Sequence, residues 1–470
     1  MRKAMSVIVV AVVAPLLLVA CERRDVSTVA RPHEAIVLTG GQVPGLQGIA
    51  PNRLVAFRFR YGTWEQIPVQ VDERAVVDLA VVKNQAPIGK TALLYTDPNT
   101  FTGADPNTNV DADDEIAFMV KDLFGEAHDI DDDVLNVHYT LDQPANTTAG
   151  SGVEVEVNDP LGSDRRAWVY LFRSNGTLDP AAGRVPIDYE FVLESGNYKT
   201  TYNIGAGPNP ENSSVTTGSY SMSFPDRWNV DVLSLTTPGS SGVDILDGHK
   251  AGFAGSCSRS EGTFAAGAGA MIANKTGPVR AIRSYLGANS GTYTQRDHLM
   301  YETRVDVITY LRVHTIPPLR DWIDYSPASS GMKFSADTNT AGVTIDGNPD
   351  AFPTAFAEWE MAAGSQGSVV HTGVLSTNIA GLEANLLHYY SDDTTPPEQQ
   401  CTGDAFQYGA SGTGVNQVVP CTDPVTNCTE FLTTTRRMTM LKANAATSTA
   451  ALLGQQQANP LTLTITAFTP

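Results

Sequence analysis

The chain has 470 residues, and 51 acidic against 31 basic side chains give it a formal net charge of −20 at pH 7. Hydrophobic residues make up 42% and charged residues 17% of the chain, which is the composition of a folded globular protein and not of a disordered one. Because an acidic surface repels polyanions, we expect no nucleic-acid partner.

At the N-terminus, residues 1–20 have the pattern of a signal peptide. Arg2 and Lys3 form a positive start, and the apolar run behind them has about 14 residues, too few to span a bilayer that needs roughly 20. The run ends in Leu18-Val19-Ala20-Cys21, with a small residue directly before a cysteine. This segment resembles the start of bacterial lipoprotein precursors. The resemblance implies that Cys21 is lipidated and anchors the mature protein in a membrane of the bacterial cell envelope.

The segment 21–33 behind the lipidated cysteine is short and polar, with charges of both signs. It predicts a tether that holds the folded body close to the membrane surface. Glu22, and not an aspartate, follows Cys21, and by the same resemblance this favours the outer membrane over the inner one.

The remaining cysteines form an even set once Cys21 is lipidated. Exported proteins fold in an oxidising compartment, so we predict two disulfide bonds. Three connectivities are open to four cysteines, and we favour a short loop closed by Cys421–Cys428 together with a long-range Cys257–Cys401 bond.

Period-two alternation is the dominant pattern of the body and predicts a mainly β, sandwich-like fold with long loops and few helices. In residues 55–60 large apolar side chains alternate with arginine, Tyr61-Gly62 predicts a turn, and the alternation resumes in residues 67–72, which indicates a hairpin. Further strand-like runs are Val153–Val157, Trp168–Phe172, Tyr189–Leu193, Val230–Leu233, Val279–Tyr285, Arg304–His314 and Leu461–Phe468.

Helical patterns are few, with candidates at Ala351–Ala363 and Ala443–Gln457. A turn-rich segment, Ser174–Gly183, separates an N-terminal β region of residues 34–175 from a C-terminal β-sandwich region of residues 176–470. The same segment is equally compatible with one long loop inside a single large sandwich.

An acidic stretch in the N-terminal region carries oxygen-bearing side chains at every second position. They are Asp105, Asn107, Asn109, Asp111 and Asp113. Calcium takes six to eight oxygen ligands, so the spacing predicts a calcium loop, although it is not an EF-hand because Val110 replaces the turn glycine. The alternative is a solvated acidic turn, since Asp and Asn favour turns by bonding to their own backbone.

The chain turns basic between Arg280 and Arg320, where six arginines lie among histidines and tyrosines. Alternate side chains of a strand share a face, which predicts a common face for Arg304, Asp306, Ile308, Tyr310, Arg312 and His314. Arginine binds carboxylates and aromatic rings stack on sugars, so Arg304, Arg312, His314 and Tyr310 are the predicted ligand-binding residues. The alternative is that these arginines pair with the surplus acidic side chains.

Catalysis is a further use of the same region, with an arginine neutralising a uronate and a nearby side chain acting as base or acid. The candidates are Tyr301, His314, Asp321 and Asp324. The last two lie three residues apart, and that spacing fixes no distance between their carboxyl groups.

Three body segments, Gln66–Glu73, Asp113–Met119 and Gly277–Arg280, resemble pieces of uncharacterised secreted β-sandwich proteins linked to carbohydrate processing. The resemblance implies no particular catalytic residue. A lipid-anchored protein with a binding or structural role, which includes glycan binding, is therefore the first hypothesis. A lyase or hydratase acting on acidic saccharides is the second, and an accessory of envelope assembly or transport is the third.

Overall fold

The computed structural model describes the greater part of the chain. The described residues are 26–128, 130–132, 137–139, 141–207, 209–225, 230–253, 269–287, 293–311, 319–395, 407–417 and 430–470. All five cysteines, Arg312 and His314 lie outside these ranges, so the predictions made for them stay predictions.

The described residues are mainly β, as predicted. In the N-terminal region the strands are β1 Ala35–Thr39, β2 Leu54–Arg60, β3 Thr63–Ile67, β4 Gln70–Asp72, β5 Arg74–Asp78, β6 Thr91–Tyr95, β7 Glu115–Met119, β8 Ile130–Asp132, β9 Val137–Tyr139, β10 Val153–Asn158 and β11 Arg166–Arg173. Short 3-10 turns occupy Gly40–Gln42, Pro44–Leu46, Pro51–Arg53, Val81–Lys83, Val120–Asp122, Pro327–Ser329 and Leu382–Asn385.

The remaining elements follow from residue 188 onward. They are β12 Asp188–Glu190, α1 Tyr198–Thr201, β13 Asn212–Thr216, β14 Tyr220–Pro225, β15 Val232–Leu235, β16 Leu246–Phe253, β17 Ala270–Thr276, β18 Ala281–Leu286, β19 Gln295–Met300, β20 Arg304–Leu311, β21 Leu319–Tyr325, β22 Lys333–Ala336, β23 Asn339–Thr344, β24 Trp359–Gly364, β25 Gly367–Thr377, β26 Leu386–Asp393, β27 Gln407–Val415, β28 Leu432–Leu441, α2 Thr447–Ala458 and β29 Thr462–Ala467.

A first sandwich is built mostly from the N-terminal strands. A three-stranded sheet of order β1-β7-β4 packs on a five-stranded sheet of order β29-β10-β11-β2-β3. Leu38 and Phe118 of the smaller sheet and Val155 and Val169 of the larger one are fully buried in the shared core. The last strand of the chain, β29, pairs with β10 and so belongs to this sandwich although it follows the C-terminal region in sequence.

The second sandwich is larger. Its main sheet has nine strands in the order β17-β18-β19-β20-β28-β25-β24-β22-β23. Two four-stranded sheets, of order β12-β13-β14-β15 and β16-β21-β27-β26, contribute to the same core. Val305 and Met438 of the main sheet share one core with Phe224 and Ile323 of the four-stranded sheets. The face of the main sheet that joins this core is called the inner face below.

The opposite, outer face of the nine-stranded sheet is covered by other parts of the chain. Helix α2 contacts β24 and β25 there, with Trp359 and Ala450 in one buried cluster. Met119 of the first sandwich and Leu94 of the separate two-stranded sheet β5-β6 pack against Ile282 of the main sheet. Both faces of this sheet are therefore largely buried, and polar side chains on either face need partners inside the protein.

Two local predictions have different outcomes. The helix predicted at Ala443–Gln457 is confirmed by α2. The helix predicted at Ala351–Ala363 is wrong, because residues 359–364 form β24. Pairing of β24 with β22 and β25 places alternate residues on the two faces of the main sheet, and this tertiary pairing overrides the local helical preference. Pro353 also disfavours a helix through this segment.

Candidate functional site

Strand β20 has the two faces that the alternation predicts. Arg304 and Asp306 are buried on the outer face, with 2% and 6% of their surface exposed. Val305 and Val307 are buried in the core on the inner face. The predicted common face is thus confirmed for the described part of the strand.

The outer face of β20 forms one wall of a cavity of about 470 Å³, which we call the outer cleft. Strands β1 and β7 of the first sandwich and the separate two-stranded sheet β5-β6 supply the opposite wall. Its polar lining comprises Arg74, Tyr95, Glu115, Arg280, Gln295, Asp297, Tyr301, Arg304, Asp306, Tyr310 and Arg437. Three predicted residues, Tyr301, Arg304 and Tyr310, are therefore brought together here, and the position between two sandwiches is a common one for ligand sites.

Arg280 lines the outer cleft and is held by two carboxylates. Its guanidinium donates to Asp72 at 2.7 Å and to Glu115, and its Nη1 lies 3.2 Å from the Tyr301 hydroxyl. Burial alone would raise the pKa of Glu115, but the charges of Arg280 and Arg74 outweigh it and hold that pKa below its usual value. Glu115 is therefore an ionised hydrogen-bond acceptor at neutral pH.

Arg304 and Arg437, which also line the outer cleft, are held by two other carboxylates. Arg304 contacts Glu34 at 3.3 Å and Asp306 at 3.0 Å, and Arg437 contacts the same two acids at 3.1 Å and 3.2 Å. The Arg304 guanidinium also stacks 4.6 Å from the ring centre of Tyr301. Here the alternative from the sequence holds as well, since the arginines do pair with acidic side chains.

The lining of the outer cleft offers both hydrogen-bond donors and hydrogen-bond acceptors. Guanidinium groups offer N–H donors, carboxylates offer acceptors, and Tyr95, Tyr301 and Tyr310 add rings and hydroxyls. Burial raises the pKa of Tyr95 well above its usual value, so its hydroxyl stays protonated and donates to Glu115 at 2.8 Å. Such a surface suits a neutral ligand rich in hydroxyl groups.

A second polar cluster lies on the inner face of the same sheet and is centred on Asp321 of β21. His249 Nε2 lies 2.8 Å from one Asp321 oxygen, and Arg436 and Arg296 contact the carboxylate at 3.1 Å and 3.4 Å. Burial alone would raise the pKa of Asp321, but the hydrogen bond from His249 and the two guanidinium charges hold it well below its usual value. Burial lowers the pKa of His249 to about 4, so its imidazole is neutral at pH 7.

Glu360 continues this cluster on β24. It contacts His388 Nε2 at 2.9 Å, Ser411 Oγ at 3.2 Å and Arg436 at 3.4 Å. Burial alone would raise its pKa, but the hydrogen bond from His388 and the charge of Arg436 lower it to about 2. Burial lowers the pKa of His371 on the neighbouring strand to about 3.

These side chains border a cavity of about 50 Å³, which we call the inner pocket. It is lined by Asp321, Glu360, His371, His388 and Arg436, with Gly373, Val374 and Thr413 among its other residues. Of the catalytic candidates that the structure describes, Tyr301, Asp321 and Asp324, only Asp321 lies here. Sequence analysis missed the three histidines of the cluster, because His249, His371 and His388 come from three different strands and no local spacing relates them.

Asp324, predicted as a partner of Asp321, points to the other side of β21. It is fully buried and accepts a hydrogen bond from the Tyr408 backbone N–H at 3.0 Å. Residues three apart in a strand lie on opposite faces, so the two carboxylates do not meet.

The predicted calcium loop lies between β6 and β7, and its side chains make turns. Asp105, Asn107 and Asp111 each accept a hydrogen bond from the backbone N–H two residues further on, at 2.9, 3.3 and 3.2 Å. Among the described residues, no group of three or more acidic, histidine or cysteine side chains is arranged to hold a metal ion. The turn interpretation accounts for these contacts, and calcium binding by Asp105, Asn107, Asn109, Asp111 and Asp113 remains a prediction.

Comparison with known proteins adds little to this geometry. No protein family matches the sequence, and no curated protein matches it either. Among solved structures, a candidate aldose 1-epimerase from Escherichia coli K12 is similar over 55% of this chain and 100% of its own, with 9% identity and a TM-score of 0.25. So low a TM-score does not establish a shared fold.

In the described part of the chain, no helix has the length and apolar character needed to cross a membrane.

Proposed function

We propose that the outer cleft binds a glycan and that this protein is a binding protein of the bacterial cell envelope. The observation that carries the proposal is the convergence of Tyr301, Arg304 and Tyr310 on one cavity of about 470 Å³. That volume lies within the roughly 300–1,000 Å³ of typical ligand sites.

Charge favours a neutral glycan over an acidic one. Each arginine that lines the outer cleft contacts an acidic side chain: Arg74 and Arg280 contact Glu115, and Arg304 and Arg437 contact Asp306. A uronate would compete with these carboxylates for the same donors. The lyase or hydratase hypothesis needs an arginine that is available to neutralise a uronate, so it ranks below neutral glycan binding.

A glycan array probed with the fluorescently labelled protein tests the proposal. We expect binding to neutral glycans, and a Kd about tenfold higher for Tyr310→Ala, because the lost ring removes apolar and stacking contact worth roughly 1.4 kcal/mol. Tyr61→Ala is the matched control, because Tyr61 lies in a hairpin turn of the first sandwich and is 69% exposed. Equal affinities of the two variants, or no binding to any glycan on the array, would contradict the proposal.

We also propose that Cys21 carries the lipid that anchors the protein, with the outer membrane as the destination favoured by Glu22. The support is the N-terminal pattern alone, since these residues lie outside those that the structure describes. In cells, Cys21→Ser is expected to move the protein from the detergent phase to the aqueous phase of a Triton X-114 partition. Unchanged partitioning of the variant would contradict lipidation at Cys21.

A further inference from the structure

We infer that the inner pocket is a second ligand site, which binds the hydroxyl-bearing end of a small neutral polyol or sugar. The inner pocket and the outer cleft lie on opposite faces of the nine-stranded sheet, so this inference does not depend on glycan binding in the outer cleft.

Two buried polar atoms at the inner pocket have no hydrogen-bond partner among the described residues. They are Nδ1 of His371 and Nε of Arg436, and the two residues are only 3% and 9% exposed. A buried polar group without a partner costs roughly 1–3 kcal/mol. Both residues line the cavity, so a ligand there could satisfy both atoms at once.

The hydrogen-bonding pattern favours a hydroxyl group. His371 Nε2 lies 3.2 Å from the Tyr325 hydroxyl, which can donate to that nitrogen or accept from it, and the tautomer decides whether Nδ1 donates or accepts. A hydroxyl both donates and accepts, so it fits either tautomer. Its oxygen can also accept from the Arg436 Nε–H.

The charged side chains around the inner pocket give it no preference for an anionic ligand. The carboxylates of Asp321 and Glu360 balance the guanidinium groups of Arg296 and Arg436, which they contact. No surplus positive charge remains in this set to attract a carboxylate or a phosphate. We therefore expect a neutral ligand.

The size of the inner pocket limits how much of the ligand enters. A water needs about 10–15 Å³ of such volume, so about 50 Å³ holds roughly three to five water-sized groups. That room suits glycerol or one edge of a hexose. Val374 and Leu375 also line the cavity and can contact the carbon skeleton.

Nitrogen-15 spectra of the histidine-labelled full chain test this inference without any variant. Glycerol and D-glucose are the probes, and we expect each to shift the imidazole resonances of His371 saturably, whereas D-glucuronate shifts them less. His128, whose ring contacts Phe59 of the first sandwich and lines neither the inner pocket nor the outer cleft, should not move and serves as the internal control. If neither neutral probe shifts His371 saturably, or if His128 moves in parallel, the inference is wrong.

Gly373→Ala provides a matched variant. Gly373 lies opposite Arg436 across the β25–β28 pair, and a Cβ there would meet nothing nearer than 3.9 Å. The methyl group should therefore fill part of the inner pocket without strain, weakening binding of D-glucose at least about tenfold while the urea midpoint stays unchanged. If this variant binds D-glucose with wild-type affinity, the ligand binds elsewhere.

Tyr310→Ala in the outer cleft is the second variant. It should leave the D-glucose-dependent shifts of the His371 imidazole resonances unchanged. This result separates failure of this inference from failure of the proposed glycan site.

Discussion

Single residues show how a sandwich core can contain charge. Asp321 accepts hydrogen bonds from one neutral histidine and contacts two guanidinium groups, so its negative charge is compensated although β21 lies inside the second sandwich. Burying ions costs several kcal/mol each, and an apolar core of similar volume is often at least as stable. Retaining charges at this place is therefore better explained by a ligand site than by stability.

The buried histidines predict how stability depends on pH. The unfolded chain binds a proton at each histidine near pH 6.5, whereas folded His249 does so only near pH 4 and folded His371 only near pH 3. At these two histidines the unfolded state thus binds more protons between these values, and their contribution to stability should fall as the pH is lowered from about 6.5, by at most about 1.4 kcal/mol per pH unit for each histidine.

Urea unfolding between pH 7.5 and pH 5 measures this slope. We expect His249→Gln and His371→Gln each to make the slope shallower than in the wild type, because each removes one group whose pKa differs between the two states. Identical slopes in the wild type and in both variants would show that folding does not lower the pKa of either histidine.

At the scale of elements, close approach of two strands fixes the inner pocket. A Cβ on Gly412 of β27 would lie 2.1 Å from the Asp321 carbonyl oxygen and 2.6 Å from the Trp322 Cα, both of them backbone atoms of β21. Gly412 therefore lets β27 and β21 pair at a distance that keeps Arg436 in contact with Asp321. No other amino acid fits there without moving a strand.

Gly412→Ala is expected to destabilise the protein by roughly 1–3 kcal/mol or more, because the added carbon overpacks a buried strand pair. Gly373→Ala, on the facing sheet, is the matched control and should cost little. The free energies of unfolding in urea decide between them. A Gly412 variant as stable as the Gly373 variant would mean that β27 and β21 separate easily.

The loop between β6 and β7 allows a test of calcium binding. Burial raises the pKa of Asp114 to about 6, and the hydrogen bond with Asp111 raises that of Asp113 to about 6 as well. A bound cation would stabilise both ionised carboxylates. At 100 times its Kd, calcium should stabilise the fold by about 2.7 kcal/mol, seen as a higher melting temperature that chelator reverses and that Asp105→Asn abolishes. An unchanged melting temperature would leave the loop an acidic turn.

On the scale of the whole molecule, the two sandwiches share buried ion pairs as well as apolar contacts. Arg280 of the second sandwich is 1% exposed and donates to Asp72 and Glu115 of the first. The Gln70 side chain accepts from the backbone N–H groups of Val279 and Arg280 at 3.0 Å. The outer cleft lies beside this junction, so its shape depends on the junction staying closed.

Arg280→Ala should destabilise the protein by about 3–5 kcal/mol, since it leaves the buried Asp72 carboxylate without its guanidinium partner, whereas Glu115 keeps Arg74. We also expect the calorimetric unfolding transition to broaden or split, because the sandwiches lose part of their coupling. Arg58→Ala is the control, since Arg58 and Glu65 form a partly exposed pair whose loss should cost at most about 1 kcal/mol. Equal effects of the two variants would rule out a coupling role for Arg280.

The local residue pattern alone was enough to predict the fold class and the two faces of β20. Alternation of apolar and polar residues is a property of neighbours in the chain, and a strand converts it directly into two faces. Helix α2 was predictable for the same reason, because Ala, Leu and Gln favour a helix locally. The segment of β24 was not, since its strand pairing comes from residues that are remote in sequence.

The sequence by itself determined a mainly β, acidic body with a face of Arg304, Asp306 and Tyr310 on one strand. Only the tertiary structure decided that this face meets Arg280 and Glu115 across a cleft, and that His249, Asp321, Glu360, His371 and Arg436 converge on the opposite face. The physical reason is that antiparallel pairing and sheet packing join residues more than a hundred positions apart, and no spacing along the chain records which strands will face each other.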